Sequence, residues 1–232
     1  MSHSLSRLST GALAVIAIGL GAAVSAGWIY GNGLHYGNGE GAQNQAAAVS
    51  GDCQTTAATL AKLKPLARGE VAAMAIRDEA MPLPQLSFVD TEGAPKTLED
   101  FRGQLMLVNM WATWCAPCRA EMPALSKLQA ELGGDDFSVM PINIDTGDVA
   151  KPQAFLKEIG VDNLGLYRDE SMGVFNTMKK EGLAFGLPVT MLVGSDGCLM
   201  GAMNGPAEWA SADARDLVEA ALAAQRQPPA GS

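Results

Sequence analysis

Leu105-Met-Leu-Val-Asn-Met-Trp111-Ala-Thr-Trp-Cys115-Ala-Pro-Cys118-Arg119 decides how this chain is read. Leu105–Trp111 is a continuous apolar run of strand length, the pattern of a strand buried on both faces. The stretch after it, from about Ala116 to Leu132, has helical spacing. A Cys-x-x-Cys pair therefore stands where a central strand hands over to a helix. The first amides of a helix lack intrahelical partners and carry partial positive charge. A thiolate there is stabilised, and its pKa falls below the free value of about 8.5. Cys115 is expected at or just before the first turn with its sulfur exposed, and Cys118 deeper on the same face. That order makes Cys115 the candidate nucleophile and Cys118 the residue that resolves a mixed disulfide. Pro117 has no N–H to lose, which a first turn tolerates. Trp114 is expected to shield the pair and contact partners, and Trp111 to pack beneath it. An exposed Arg119 could support the thiolate.

Outward from this centre the pattern alternates. Phe137–Ile144 reads as a second apolar strand, Lys151–Gly160 as a helix, Leu164–Tyr167 as a weak strand and Met172–Lys179 as a short helix. Met191–Val193 and Leu199–Met203 flank Ser195-Asp-Gly197, a hairpin signal. Trp209–Ala224 is a last helix. Upstream, Cys53–Met74 has helical spacing broken at Pro65 and Gly69, and Leu86–Asp90 opens a short ribbon that turns at Thr91-Glu-Gly93. Two strand–helix–strand units, a hairpin and a final helix make an α/β sandwich around a mixed central sheet.

The N-terminus carries a different message. Leu8–Tyr30 holds no charged residue, and Gly11–Tyr30, 20 residues, spans about 30 Å as a helix. Arg7 precedes it and favours a cytoplasmic N-terminus. The expected organisation is a cytoplasmic stub (1–10), one transmembrane anchor (11–30), a Gly/Asn/Ala-rich tether (31–50), a globular domain (51–224) and a disordered tail (225–232). The rival is a signal peptide cleaved near Val24-Ser25-Ala26. Either way the domain leaves the cytoplasm, a setting in which four cysteines can form disulfides.

Composition excludes several classes. The net charge is −9 and the basic residues are scattered, which argues against nucleic-acid binding. The two histidines, His3 and His35, lie outside the domain, so a four-ligand zinc site has no donors. A cysteine pair can hold Cu(I), which leaves a non-catalytic copper carrier as a reading from another class. There is no nicotinamide or flavin motif, so no cofactor is expected.

The chain resembles the thioredoxin superfamily, and within it the TlpA-like membrane-anchored periplasmic thioredoxins. The likeness covers about residues 51–224. It rests on Val108–Arg119, Glu121-Met-Pro-Ala-Leu125, Ile142-Asn-Ile-Asp-Thr146, Gly186-Leu-Pro-Val-Thr190 and Gly205-Pro-Ala-Glu-Trp-Ala210. The resemblance implies a thioredoxin fold with an N-terminal extension and a central insertion near Val149–Gly165. It implies a cis bond before Pro188 and a substrate-pairing backbone at Leu187, although Val189 stands where Thr is common. Cytosolic thioredoxins carry a buried Asp where this chain has Asn109, and Glu121 matches the acid–base Glu of some exported relatives. Whether Glu121 deprotonates Cys118 or is a solvated surface carboxylate is open at this stage. Cys53 and Cys198 match a second pair, expected as a structural disulfide; two free thiols or a second redox couple are the alternatives.

The same resemblance implies a periplasmic thiol:disulfide oxidoreductase held at the bacterial inner membrane and acting as a reductant. Its implied clients are a Sco-type copper chaperone and the copper-binding oxidase subunit during cytochrome oxidase biogenesis, with a membrane thiol transporter as electron donor. Apocytochrome c thiol reduction is the competing role on this fold.

Overall fold

The computed structural model describes residues 53–226. The expected stub, anchor and tether lie outside the described residues, and no described helix is long and apolar enough to cross a membrane.

An eight-stranded mixed sheet runs in the order β1-β8-β7-β4-β5-β6-β2-β3. Its strands are β1 (Ala75–Pro82), β2 (Ser87–Val89), β3 (Pro95–Thr97), β4 (Leu105–Trp111), β5 (Phe137–Asn143), β6 (Tyr167–Arg168), β7 (Val189–Val193) and β8 (Cys198–Asn204). The helices are α1 (Ala57–Leu63), α2 (Ala116–Leu132), α3 (Ala150–Glu158), α4 (Gly173–Lys180) and α5 (Ala212–Gln225). β4-α2-β5 and β5-α3-β6 are both parallel units, and β7 and β8 form the antiparallel hairpin.

β4 sits at the centre because every one of its residues is buried. Side chains alternate across a strand. Leu105, Leu107 and Trp111 enter a core shared with α1, α2, α3 and α5. Met106, Val108 and Met110 enter a second core with α4. Asn109 therefore points to the α2 face, among apolar neighbours, which matters below.

Several boundaries differ from the sequence reading for physical reasons. The N-terminal helical stretch ends at Leu63 and continues as two 3₁₀ turns, Lys64–Leu66 and Gly69–Val71, at the Pro and Gly that interrupt its pattern. β1 has no counterpart in the reading. Among the described residues it is an edge strand paired to β8 alone, with a register irregularity between Ile76 and Met81 and no regular alternation of buried residues. Arg77, Asp78 and Glu79 occupy its middle. β6 is only Tyr167–Arg168, displaced from the expected Leu164–Tyr167. α5 begins at Ala212 rather than Trp209 because the Ser211 hydroxyl caps it, accepting from the Ala214 amide. At its other end Gln225 is still helical and Arg226 is the cap.

Candidate redox site

The loop from β4 to α2 is fastened before the cysteines begin. Asp145, buried just after β5, accepts from the Thr113 amide at 3.0 Å and from the Thr113 hydroxyl at 3.0 Å. Asn143 Nδ2 donates to the same carboxylate at 2.9 Å. The Ile144 amide also bonds the Trp111 carbonyl at 2.9 Å. Trp111 lies against Phe155 of α3, and the Arg119 guanidinium covers that ring at 4.6 Å. Arg119 thus leans on an aromatic face while staying exposed.

Cys115 is the N-cap of α2, and its sulfur accepts the Cys118 amide at 3.3 Å. The helix is thus capped by the sulfur itself. Such a contact favours the ionised form over the neutral thiol. Cys115 and Cys118 are joined in a disulfide with Cα atoms 5.3 Å apart. Cys118 is fully buried, and Cys115 is only 6% exposed. The expected order of access holds, but the sulfur is far less open than the sequence reading had it. The exposed large apolar side chain here is Trp114, at 65%.

β7 brings the second wall. Its register sets Val189 opposite Met110 and Thr190 opposite Asn109. Pro188 is buried beside the end of β4, and the Leu187–Pro188 bond is cis. Leu187 is half-buried.

Glu121 is a buried carboxylate, 3% exposed, and not a solvated one. Three donors converge on it. Asn109 Nδ2 reaches Oε1 at 2.8 Å, while the Ala207 amide and Trp209 Nε1 reach Oε2 at 3.2 and 3.1 Å. Asn109 Nδ2 also donates to Thr190 Oγ1 at 2.9 Å, and Asn109 Oδ1 has no partner. Burial pushes the Glu121 pKa up from 4.5 to about 7, against the pull of the three hydrogen bonds. Glu121 lies one turn beyond Cys118 on the same helix face.

This shift has a measurable sign. Between pH 4.5 and about 7 the unfolded chain has lost the Glu121 proton and the folded chain has kept it. Its contribution to stability is complete below 4.5 and is lost as pH rises through 7, about 3 kcal/mol in all. Denaturant titrations across that window should show a falling component in the parent that Glu121→Gln lacks. Parallel pH curves for the two proteins would mean that Glu121 ionises normally.

Cys53 and Cys198 form a second disulfide, with Cα atoms 5.8 Å apart. Asp196 in the β7–β8 turn braces it from both sides. Its Oδ2 accepts the Gln54 and Thr55 amides at 2.7 and 3.0 Å, and its Oδ1 accepts the Cys198 amide at 3.0 Å. Among the described residues no three His, Cys, Asp or Glu side chains converge in a metal-holding group.

Sequence reasoning did not single out Asp145, Thr113, Thr190 or Trp209 as site residues. Each lies in or beside a stretch that carried the family likeness, but its role depends on pairing across 32 to 88 positions.

A family model described as Redoxin matches residues 78–219, more than half of the chain. The chain belongs to the Redoxin family. The thioredoxin-like protein YneN of Bacillus subtilis strain 168 is 39% identical over 75 residues, 32% of this chain and 44% of that protein. The thiol:disulfide interchange protein HelX of Rhodobacter capsulatus is 38% identical over 115 residues, 49% of this chain and 60% of that protein. The chain thus spans about half the length of these curated relatives. The crystal structure of a putative thiol:disulfide interchange protein DsbE from Chlorobium tepidum superposes with a TM-score of 0.50 at 25% identity. It covers 61% of this chain and 94% of that one. The Redoxin match and this superposition make the fold a thioredoxin fold, a mixed central sheet flanked by helices.

Proposed function

We propose that this Redoxin-family chain is a thiol:disulfide oxidoreductase that reduces protein disulfides, with Cys115 as nucleophile and Cys118 as resolving cysteine. The observation that carries this reading is the Cys115 sulfur seated as the cap of α2 with Cys118 buried behind it. In the reduced protein the Cys115 thiolate attacks a client disulfide. A Cys115–client bond forms and one client thiolate leaves and takes up a proton. Cys118 gives its proton to the Glu121 carboxylate and attacks the Cys115 sulfur. The second client thiolate departs, and two electrons have passed from the dithiol to the client. A Glu121 pKa near 7 suits that transfer at neutral pH. Trp114, Leu187 and Pro188 form the surface on which the client strand lies.

The proposed setting is the periplasm, with the domain held at the inner membrane by residues 11–30. The uncharged Leu8–Tyr30 stretch and the Cys53–Cys198 disulfide support it, since such bonds persist in oxidising compartments. By resemblance, the clients are a Sco-type copper chaperone and the copper-binding oxidase subunit, with electrons supplied by a membrane thiol transporter.

Equilibration of the purified protein with glutathione tests the direction. A reduction potential near that of thioredoxin, about −270 mV, is expected. A value near about −120 mV would make the protein an oxidant instead. Tight Cu(I) uptake with no electron exchange with an oxidised chaperone would leave a copper carrier.

A further inference from the structure

Two large apolar side chains stand out among the described residues as exposed, Trp114 at 65% and Phe185 at 79%. Trp114 precedes the reactive cysteine. Phe185 lies three residues before Pro188, and the family likeness gives it no role. Both belong to the same end of the sheet, where β4 finishes at Trp111, β8 finishes at Asn204 and β7 begins at Val189.

The Phe185 segment is firmly held. The Phe185 amide donates to Asn204 Oδ1 at 2.8 Å, and Asn204 Nδ2 donates to the Leu183 carbonyl at 3.0 Å. Asn204 is itself paired with Val189 across the hairpin, and the Gly205 amide bonds the Pro188 carbonyl at 2.9 Å. One side chain thus clamps the loop on both sides of Ala184 while the ring projects into water. A single exposed aromatic is ordinary. One presented on a clamped backbone, at the same end of the sheet as Cys115 and the cis Leu187–Pro188 bond, is a preformed contact with little left to order.

Resting on the oxidoreductase reading, we infer that Phe185 is a specificity-determining residue, an apolar platform for a hydrophobic side chain adjacent to the attacked cysteine in a polypeptide client. The protein then favours extended peptide disulfides flanked by Leu, Ile, Val or Phe over polar peptides and over small-molecule disulfides.

Three probes test this with the full chain: a disulfide-linked peptide with Leu beside its cysteines, the same peptide with Ser there, and bis(2-hydroxyethyl) disulfide. The parent should prefer the Leu peptide by about tenfold in kcat/KM, as burial of one aliphatic side chain against a ring supplies. Phe185→Ala should erase that preference and leave the rate with bis(2-hydroxyethyl) disulfide unchanged, and Phe185→Leu should restore most of it. A preference that survives Phe185→Ala overturns the inference, as does an equal slowing with all three probes. So would a change in sedimentation without a change in preference, which would assign the ring to a second copy of the chain. A parent protein inert toward all three probes would instead remove the redox reading, and this inference with it.

Discussion

Cys118→Ser is expected to turn the protein into a covalent trap, leaving the client joined to Cys115 and visible as an adduct by non-reducing electrophoresis and mass spectrometry. Cys115→Ala should form no such adduct and lower kcat/KM with a protein disulfide by at least about a thousandfold, some 4 kcal/mol of barrier. The asymmetry follows from placement. Cys115 keeps a small exposed surface and receives the amide of the first helical turn, so its ionised form is both reachable and stabilised. Cys118 has no exposure, and a client sulfur reaches it only through Cys115. An adduct on Cys118 in a Cys115→Ala background, or retained turnover there, would reverse the roles. Alkylation of the reduced protein gives an independent check, since Cys115 should react at pH values where a free thiol is still protonated.

The second large effect is on stability. Cys53→Ala/Cys198→Ala opens a bond that spans 145 positions. Chain entropy sets a ceiling of about 5 kcal/mol on its contribution. The measured loss should fall between about 2 and 5 kcal/mol, because native contacts also fix the two ends. The carboxylate of Asp196 still holds the Gln54 and Thr55 amides when the sulfurs are gone. For a domain of this size that loss lowers Tm by roughly 5–20 °C, which calorimetry resolves. Turnover at 25 °C should be retained, since the bond joins the N-terminal arm to β8 and leaves α2 untouched. An unchanged Tm would mean that the arm is held by its other contacts alone. A loss of turnover with folding intact would point to a second redox couple.

What the sequence disclosed and what it withheld divide along one physical line. β4 was legible because burial on both faces leaves an uninterrupted apolar run, and α2 because a Cys-x-x-Cys followed by helical spacing marks its start. β1 was not. An edge strand paired on one side has no need to alternate, and its register slips where Arg77, Asp78 and Glu79 sit. The fate of Glu121 was equally hidden. Its spacing from Cys118 is local, but its burial comes from Ala207 and Trp209, 86 and 88 positions away. A carboxylate one turn beyond a cysteine reads the same whether the loop after β8 closes over it or not. Asn109 shows the middle case. The polar interruption in an apolar strand was plain, yet only the α2-facing alternation reveals that it donates to Glu121 and Thr190 at once.

The β1 edge of the sheet bears on behaviour at high concentration. Among the described residues β1 leaves one row of backbone groups without a neighbouring strand, and such a rim can template fibre growth between molecules. Its central run of mixed charges makes an incoming identical strand pay desolvation at each step, and Pro82 at its end lacks the hydrogen needed to continue a ladder. Crowded molecules should therefore remain dispersed rather than polymerise along that border.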